Sequence, residues 1–175
     1  MSSDKFLIRN AKAAEFEEIG KLMVNVYSRL EGFPKATEQP AYYKMLAGVG
    51  ELTKKPGTEI LVSLSLEGQI TGAVVYFNDM QYYGSGGTAT QEKNAAGFRL
   101  LAVDQIFRGQ GIGKLLTMEC INKTKEQKIP QLIIHTTKAM QTAWKMYEKL
   151  GFVRSEDLDF MQAELPVFGF RLKLE

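Results

Sequence analysis

The residues best suited to chemistry are Arg108, Gly109, Gln110, Gly111, Ile112, Gly113 and Lys114. They lie between an apolar run ending near Val103 and a segment in which Ile112, Leu115, Leu116 and Cys120 have helical spacing. Strand, glycine turn and helix in that order make an anion site. The first N–H groups of a helix lack intrahelical partners, the helix dipole is positive there, and glycines let an oxyanion come close. Arg108 adds a guanidinium whose planar fork matches phosphate oxygens. These residues alone indicate phosphate binding. Two common phosphate loops do not fit. The dinucleotide pattern GxGxxG meets Lys114 when begun at Gly109 and Leu116 when begun at Gly111. The Walker loop GxxxxGK[ST] finds Gly113 and Lys114 but meets Arg108 at its first glycine and Leu115 at its last position. A GxSxG elbow around Ser85 has Tyr83 where its first glycine belongs.

Arg108, Gly111 and Gly113 do satisfy Arg/Gln, x, x, Gly, x, Gly/Ala. Downstream, Ala143, Tyr147, Glu148, Lys149, Leu150, Gly151 and Phe152 spell A, three residues, Y, E, K, L, G, F. Across residues 98–152 the chain resembles the GNAT superfamily of N-acetyltransferases. The resemblance implies a mixed α/β fold with a mostly antiparallel sheet of about seven strands, splayed between the fourth and fifth and flanked by about four helices. It implies acetyl-CoA as cosubstrate, with its pyrophosphate on the backbone of residues 108–113 and Lys114 nearby. The pantetheine arm would run along the backbone of Leu101, Ala102 and Val103, whose unpaired strand edge offers amides. An N–H near Val103 would stabilise the oxyanion that develops at the thioester, and Tyr147 would protonate the departing sulfur. The reaction implied is direct transfer to a primary amine within a ternary complex. A non-catalytic acyl-CoA-binding or regulatory module of the same fold is the alternative.

A lysine-like amine, with pKa about 10.4, is neutral only about once in 2,000 molecules at pH 7, a penalty of about 4.6 kcal/mol, so a deprotonation route is needed. Some members of the superfamily place a carboxylate at the start of the fourth strand. Here that place reads Gly97, Phe98, Arg99, and the base stays unassigned among Glu92, Asp104 and Glu31. Met140 stands where many members have an asparagine that contacts the pantetheine arm. His135 receives no role.

Several elements must position these groups. Phe6, Leu7 and Ile8 predict a strand, and Phe16, Ile19, Leu22, Met23, Val26, Tyr27 and Leu30 recur at helical spacing. Residues 42–52 predict a weaker helix between breaks at Pro40 and Pro56. Alternation from Ile60 to Leu66, turn chemistry at Glu67 and Gly68, and apolar residues on both parities from Ile70 to Phe77 predict a hairpin whose second arm is buried on both faces. Residues 78–95, with Tyr82, Tyr83 and three nearby glycines, predict a mobile surface tract that could cover a site. Further on, residues 98–103 and 132–134 predict strands, Met140 to Leu150 a helix ended by Gly151, and Phe168, Phe170, Leu172 and Leu174 a closing strand. The acceptor is expected to meet residues 31–40, 82–87 and 158–166, whose aromatics and acids suggest a cationic, partly apolar amine.

The 175 residues, 45% hydrophobic and 24% charged, suit one globular domain spanning residues 1–175. Cys120 and His135 are the only residues of their types, which excludes an intramolecular disulfide and leaves too few ligands for a zinc site, so no metal is expected. A net charge of +2, with Lys123, Lys125 and Lys128 interrupted by Glu126 near a helix C-terminus, leaves no nucleic-acid footprint. No apolar run reaches the roughly 20 residues that span a bilayer. The start, Met1 to Lys5, lacks the pattern of a secretory signal, so a cytoplasmic monomer or homodimer is expected, with acetyl-CoA and the amine as its partners.

Overall fold

The computed structural model describes residues 5–174. Met1 to Asp4, on which the expectation of a cytoplasmic protein partly rests, lie outside the described residues. The strands are β1 (Phe6–Asn10), β2 (Thr58–Ser65), β3 (Ile70–Phe77), β4 (Ala96–Val103), β5 (Gln131–Thr136), β6 (Val153–Arg154), β7 (Phe160–Gln162) and β8 (Leu165–Lys173). The helices are α1 (Phe16–Ser28), α2 (Pro40–Ala47), α3 (Ile112–Glu126) and α4 (Gln141–Lys149). The eight strands form one sheet in the order β1-β2-β3-β4-β5-β8-β6, with β7 paired to β8, and only β4 and β5 run parallel. The count exceeds the expected seven because β6 and β7, two and three residues long, are too short to show a period.

Apolar side chains line both faces of the sheet. Along β3, Ala73, Val75 and Phe77 point to the α1 and α2 side, while Val74 and Tyr76 point to the α3 and α4 side. This double burial is why the strand reads apolar on both parities. Helix α1 buries Ile19, Leu22, Met23 and Tyr27, a 3.6-residue stripe, after a first turn in which Glu15 accepts the Lys12 N–H at 2.7 Å and clasps Arg9 at 2.8 and 2.9 Å. Gly20 lets α2 approach, since a Cβ there would sit 2.1 Å from the Ala47 carbonyl oxygen. Helix α3 buries Ile112, Leu116 and Cys120 on the opposite face, and burial pushes the Cys120 thiol far above its ordinary pKa. That thiol sits in the core, where sequence periodicity put it.

Two features shape the middle of the sheet. Strand β4 pairs with β5 only at Ala96↔Leu132 and Gly97↔Ile133, after which the two diverge. On its other side β4 is bulged, because Val75 faces Arg99 and Ala73 faces Ala102, so Leu100 and Leu101 together oppose Val74. Leu100 takes φ +62°, the left-handed region. The extra residue reverses the alternation: Ala96 and Phe98 pack toward α3 and α4, Leu100 and Ala102 toward α1 and α2, and Leu101 and Val103 back toward α3.

The tract at 78–95 differs from the mobile loop expected. Met80, Tyr83 and Ala89 are buried, Tyr83 completely, with its ring edge-on to Phe77 at 5.6 Å. Two short 3-10 turns, Met80–Tyr82 and Ala89–Gln91, pin it to the sheet. No helix among the described residues is long and apolar enough to cross a membrane.

Candidate active site

The divergence of β4 from β5 opens a cleft of about 720 Å³. Of the residues singled out from the sequence, Leu101, Val103, Arg108, Gly109, Gly111, Ile112, Gly113, Lys114 and Tyr147 all line it. Ala102 and Gln110 do not: Ala102 is buried toward α1 by the bulge, and the Gln110 side chain is exposed at the crest of the turn.

At one end, Gly109 (φ +80°) and Gly111 (φ +83°) fold the turn that starts α3, and Gly111 is the residue before its first turn. Both lie where side chains are disfavoured. The unpaired N–H groups of the first turn of α3 therefore face the cleft, flanked by Arg108 and Lys114. Within that turn, a Cβ on Gly113 would lie 3.9 Å from Leu101 Cδ2, Val103 Cγ2 and Met146 Sδ, so Gly113 stands at the neck between β4 and α4.

In the centre, β4 past Gly97 has no strand on its β5 side, and one of its carbonyls, that of Leu101, accepts from the buried Tyr27 hydroxyl at 3.2 Å. Across the gap, Thr136 and Thr137 line the cleft, are 2% and 3% exposed, and carry hydroxyls without a hydrogen-bond partner among the described residues. A buried hydroxyl left unpaired costs about 1 to 3 kcal/mol, so each is suited to a ligand. Sequence reasoning passed over both threonines and fixed on neighbouring Met140, which lines the cleft but offers no such group.

Tyr147, on α4, is 4% exposed, with its ring against Phe98 and Phe152 at centroid distances of 5.9 and 5.6 Å. Burial holds its hydroxyl well above the ordinary tyrosine pKa, and no hydrogen bond to that hydroxyl occurs among the described residues. It reaches the cleft as a protonated, uncommitted donor.

None of the three acids considered from the sequence lines the cleft. Glu92 pairs with Arg171 at 2.7 Å, Asp104 accepts the Ile106 N–H at 3.0 Å, and Glu31 is exposed. His135, left without a role, does line it. Its Nε2 lies 2.9 Å from the Leu158 carbonyl, which can only accept, so Nε2 carries the proton and Nδ1 accepts from the Tyr83 hydroxyl at 3.0 Å. Burial lowers the His135 pKa and keeps the ring neutral. The residues making this pair are 52 positions apart, which no local pattern could reveal.

Beyond Arg99 the cleft continues into a second chamber of about 400 Å³, and the two volumes share Tyr42, Tyr83, Ser85, Arg99, Phe160 and Gln162. The Arg99 Nη1 donates to the Tyr83 carbonyl at 3.0 Å, and the guanidinium lies 5.8 Å from the centroid of the Tyr83 ring. No group of three or more His, Cys, Asp or Glu that could hold a metal ion occurs among the described residues.

Several known proteins resemble the chain in fold or in sequence. An acetyltransferase of the GNAT family from Staphylococcus aureus Mu50 superposes with a TM-score of 0.74 at 17% identity, over 97% of this chain and 99% of its own. A putative acetyltransferase from Salmonella typhimurium, solved with its cofactor acetyl-CoA, superposes with a TM-score of 0.66 at 15% identity, over 97% of this chain and 94% of its own. In sequence, an uncharacterized N-acetyltransferase of Dictyostelium discoideum is 35% identical over 75 residues, 43% of this chain and 35% of that protein, so the chain spans about a third of that relative's length. Residues 37–174 match the acetyltransferase (GNAT) domain family, and the chain belongs to the GNAT acetyltransferases.

Proposed function

We propose that the protein transfers the acetyl group of acetyl-CoA directly to a primary amine, with both substrates bound together in the cleft. The observation that carries this reading is the convergence on one cleft of the α3 amino terminus, the unpaired edge of β4 and the unpartnered Tyr147 hydroxyl. Acetyl-CoA suits the groups present: phosphate oxygens the turn from Arg108 to Lys114, and amides of the pantetheine arm the β4 backbone. The orphaned Thr136 and Thr137 hydroxyls take over the contact that Met140 does not make. When bound, it supplies an activated acyl group and a thiolate leaving group.

The chain's own groups do the rest. A backbone N–H near Val103 donates to the thioester oxygen as negative charge builds there. Tyr147 gives its proton to the departing sulfur, and burial keeps that proton in place across the working pH range. With no carboxylate among the described residues of the cleft wall, the amine loses its proton to water or to the neutral Tyr83–His135 pair. Cys120, buried in the core under α3, is out of reach as an acyl carrier, which supports direct transfer.

The test is a melting curve with and without acetyl-CoA, followed by thiol release with a panel of amines. Saturation at a hundred times Kd adds about 2.7 kcal/mol, or roughly 5 to 10 °C at this size. Stabilisation with turnover supports the enzyme. Stabilisation without turnover on any amine identifies an acyl-CoA-binding module instead.

A further inference from the structure

The second chamber differs in charge from what the loop composition suggested. Acids are plentiful in the segments at 31–40 and 158–166, yet none lines either volume. Asp159 is held by Arg154 at 2.8 Å and by the Gly169 N–H at 2.7 Å, and Glu38 accepts the Lys35 N–H at 2.9 Å. The charged side chains that line the second chamber are Arg99 and Lys55.

Arg99 has no carboxylate within ion-pair distance among the described residues, although the other half-buried arginines do: Arg9 and Arg154 have one each and Arg171 has two. Its guanidinium spends one donor on a backbone carbonyl, and its remaining N–H groups have no partner among the described residues. The β4 bulge puts Arg99 and Leu100 consecutively on the α1 and α2 side, which brings the cation to the wall shared by the two chambers. A half-buried guanidinium on the wall of an open chamber, with donors left over and no carboxylate beside it, is suited to an anionic group of a ligand. Around it stand Tyr42, Tyr82, Phe160 and Met45, which offer an apolar surface.

We propose that the acceptor is a primary amine that also carries a carboxylate, as an amino acid does, with Arg99 gripping the carboxylate and the aromatic chamber holding an apolar side chain. This rests on the acetyl-transfer reading and names the substrate class of that site. A guanidinium stays protonated, so Arg99 orients the acceptor and takes no proton from it.

The experiment offers acetyl-CoA and three matched acceptors, phenylalanine, phenylalaninamide and phenethylamine, and reads free thiol. The acid is expected to exceed both others in kcat/KM by about ten- to a hundred-fold, the factor carried by hydrogen bonds to a charged group. That preference should fall to near parity in Arg99→Gln and to an intermediate value in Arg99→Lys. Amide or phenethylamine turning over as well as the acid overturns the carboxylate proposal and leaves acetyl transfer standing. If none is acetylated, N-acetylphenylalanine and N-acetylphenylalaninamide are added to the coenzyme A complex. Stabilisation by the acid alone, lost in Arg99→Gln, supports the proposal, and equal effects or none overturn it. Failure of acetyl-CoA itself to stabilise the protein removes the transfer reading and the proposal with it.

Discussion

Replacing Tyr147 by Phe removes one oxygen and leaves the ring contacts with Phe98 and Phe152 in place. Because that hydroxyl has no partner among the described residues, its loss breaks no internal hydrogen bond. Stability should stay within about 1 kcal/mol, or about 4 °C in Tm for this size. Proton donation to a leaving group contributes about 10²- to 10⁴-fold in favourable cases. A thiol of pKa about 8.5 departs tolerably well unaided, so the loss should lie at or below the lower end of that range, about 10- to 100-fold in kcat. Coenzyme A affinity should change by less than about three-fold, since a transition-state contact leaves ground-state binding alone. The pH profile adds an independent check. In the native enzyme the rate rises with pH as the acceptor amine deprotonates, and with the Tyr147 hydroxyl held above its ordinary value of 10, no alkaline fall should centre below pH 10. The assay is thiol release under saturation from pH 6 to 10, with coenzyme A binding by calorimetry. Parallel losses of kcat, affinity and Tm would return Tyr147 to the core and refute its role as the acid.

Gly113→Ala should fold with unchanged or slightly raised Tm, since the nearest atoms to a Cβ are 3.9 Å away. Gly113→Leu should fold but lose coenzyme A binding by blocking the neck, whereas Gly111→Ala, at φ +83°, should cost about 1 to 2 kcal/mol. Equal melting points for the two alanine variants would contradict the assigned backbone geometry. Glu15, held at about 2 by the Arg9 guanidinium, has a native pKa below its unfolded value near 4.5. Its contribution is therefore complete above pH 4.5 and lost as pH falls toward 2. Allowing for solvent screening, Glu15→Gln should lose about 1 to 2 kcal/mol at neutral pH, and urea denaturation should show the gap closing between pH 4.5 and 2. A gap that persists unchanged at pH 2 contradicts the Arg9–Glu15 assignment.

What was legible in the sequence was local. The Gly111 turn could be read because a backbone in the left-handed region needs glycine and a helix follows at once. The stripe from Ile19 to Tyr27 declared α1 by period, and β3 declared its double burial by having no polar parity. The divergence of β4 from β5 was reached only through likeness to a family, because nothing in residues 96–103 or 131–136 says where two strands stop pairing. The bulge was hidden because Leu100, an ordinary side chain, takes the left-handed conformation without glycine as a signal. With the bulge hidden, the side on which Arg99 emerges could not be read, and composition pointed to a cationic acceptor when the loop acids are engaged elsewhere or lie off the cleft wall. Thr136 and Thr137 became informative only when their hydroxyls proved to lack partners.

The two residue pairs that join β4 to β5 have a mechanical meaning. Four strands lie on each side of that junction along the sheet or attached to it, and the backbone ladder crosses it only at Ala96↔Leu132 and Gly97↔Ile133. The sheet is a zipper open along most of one seam, and shear between its halves is resisted there by few bonds. On the proposed reading, a cosubstrate laid along β4 with its other flank on Thr136 and Thr137 would act as the missing length of zipper. Binding there would stiffen the whole domain as well as fill a pocket, and departure of the product would loosen the same seam.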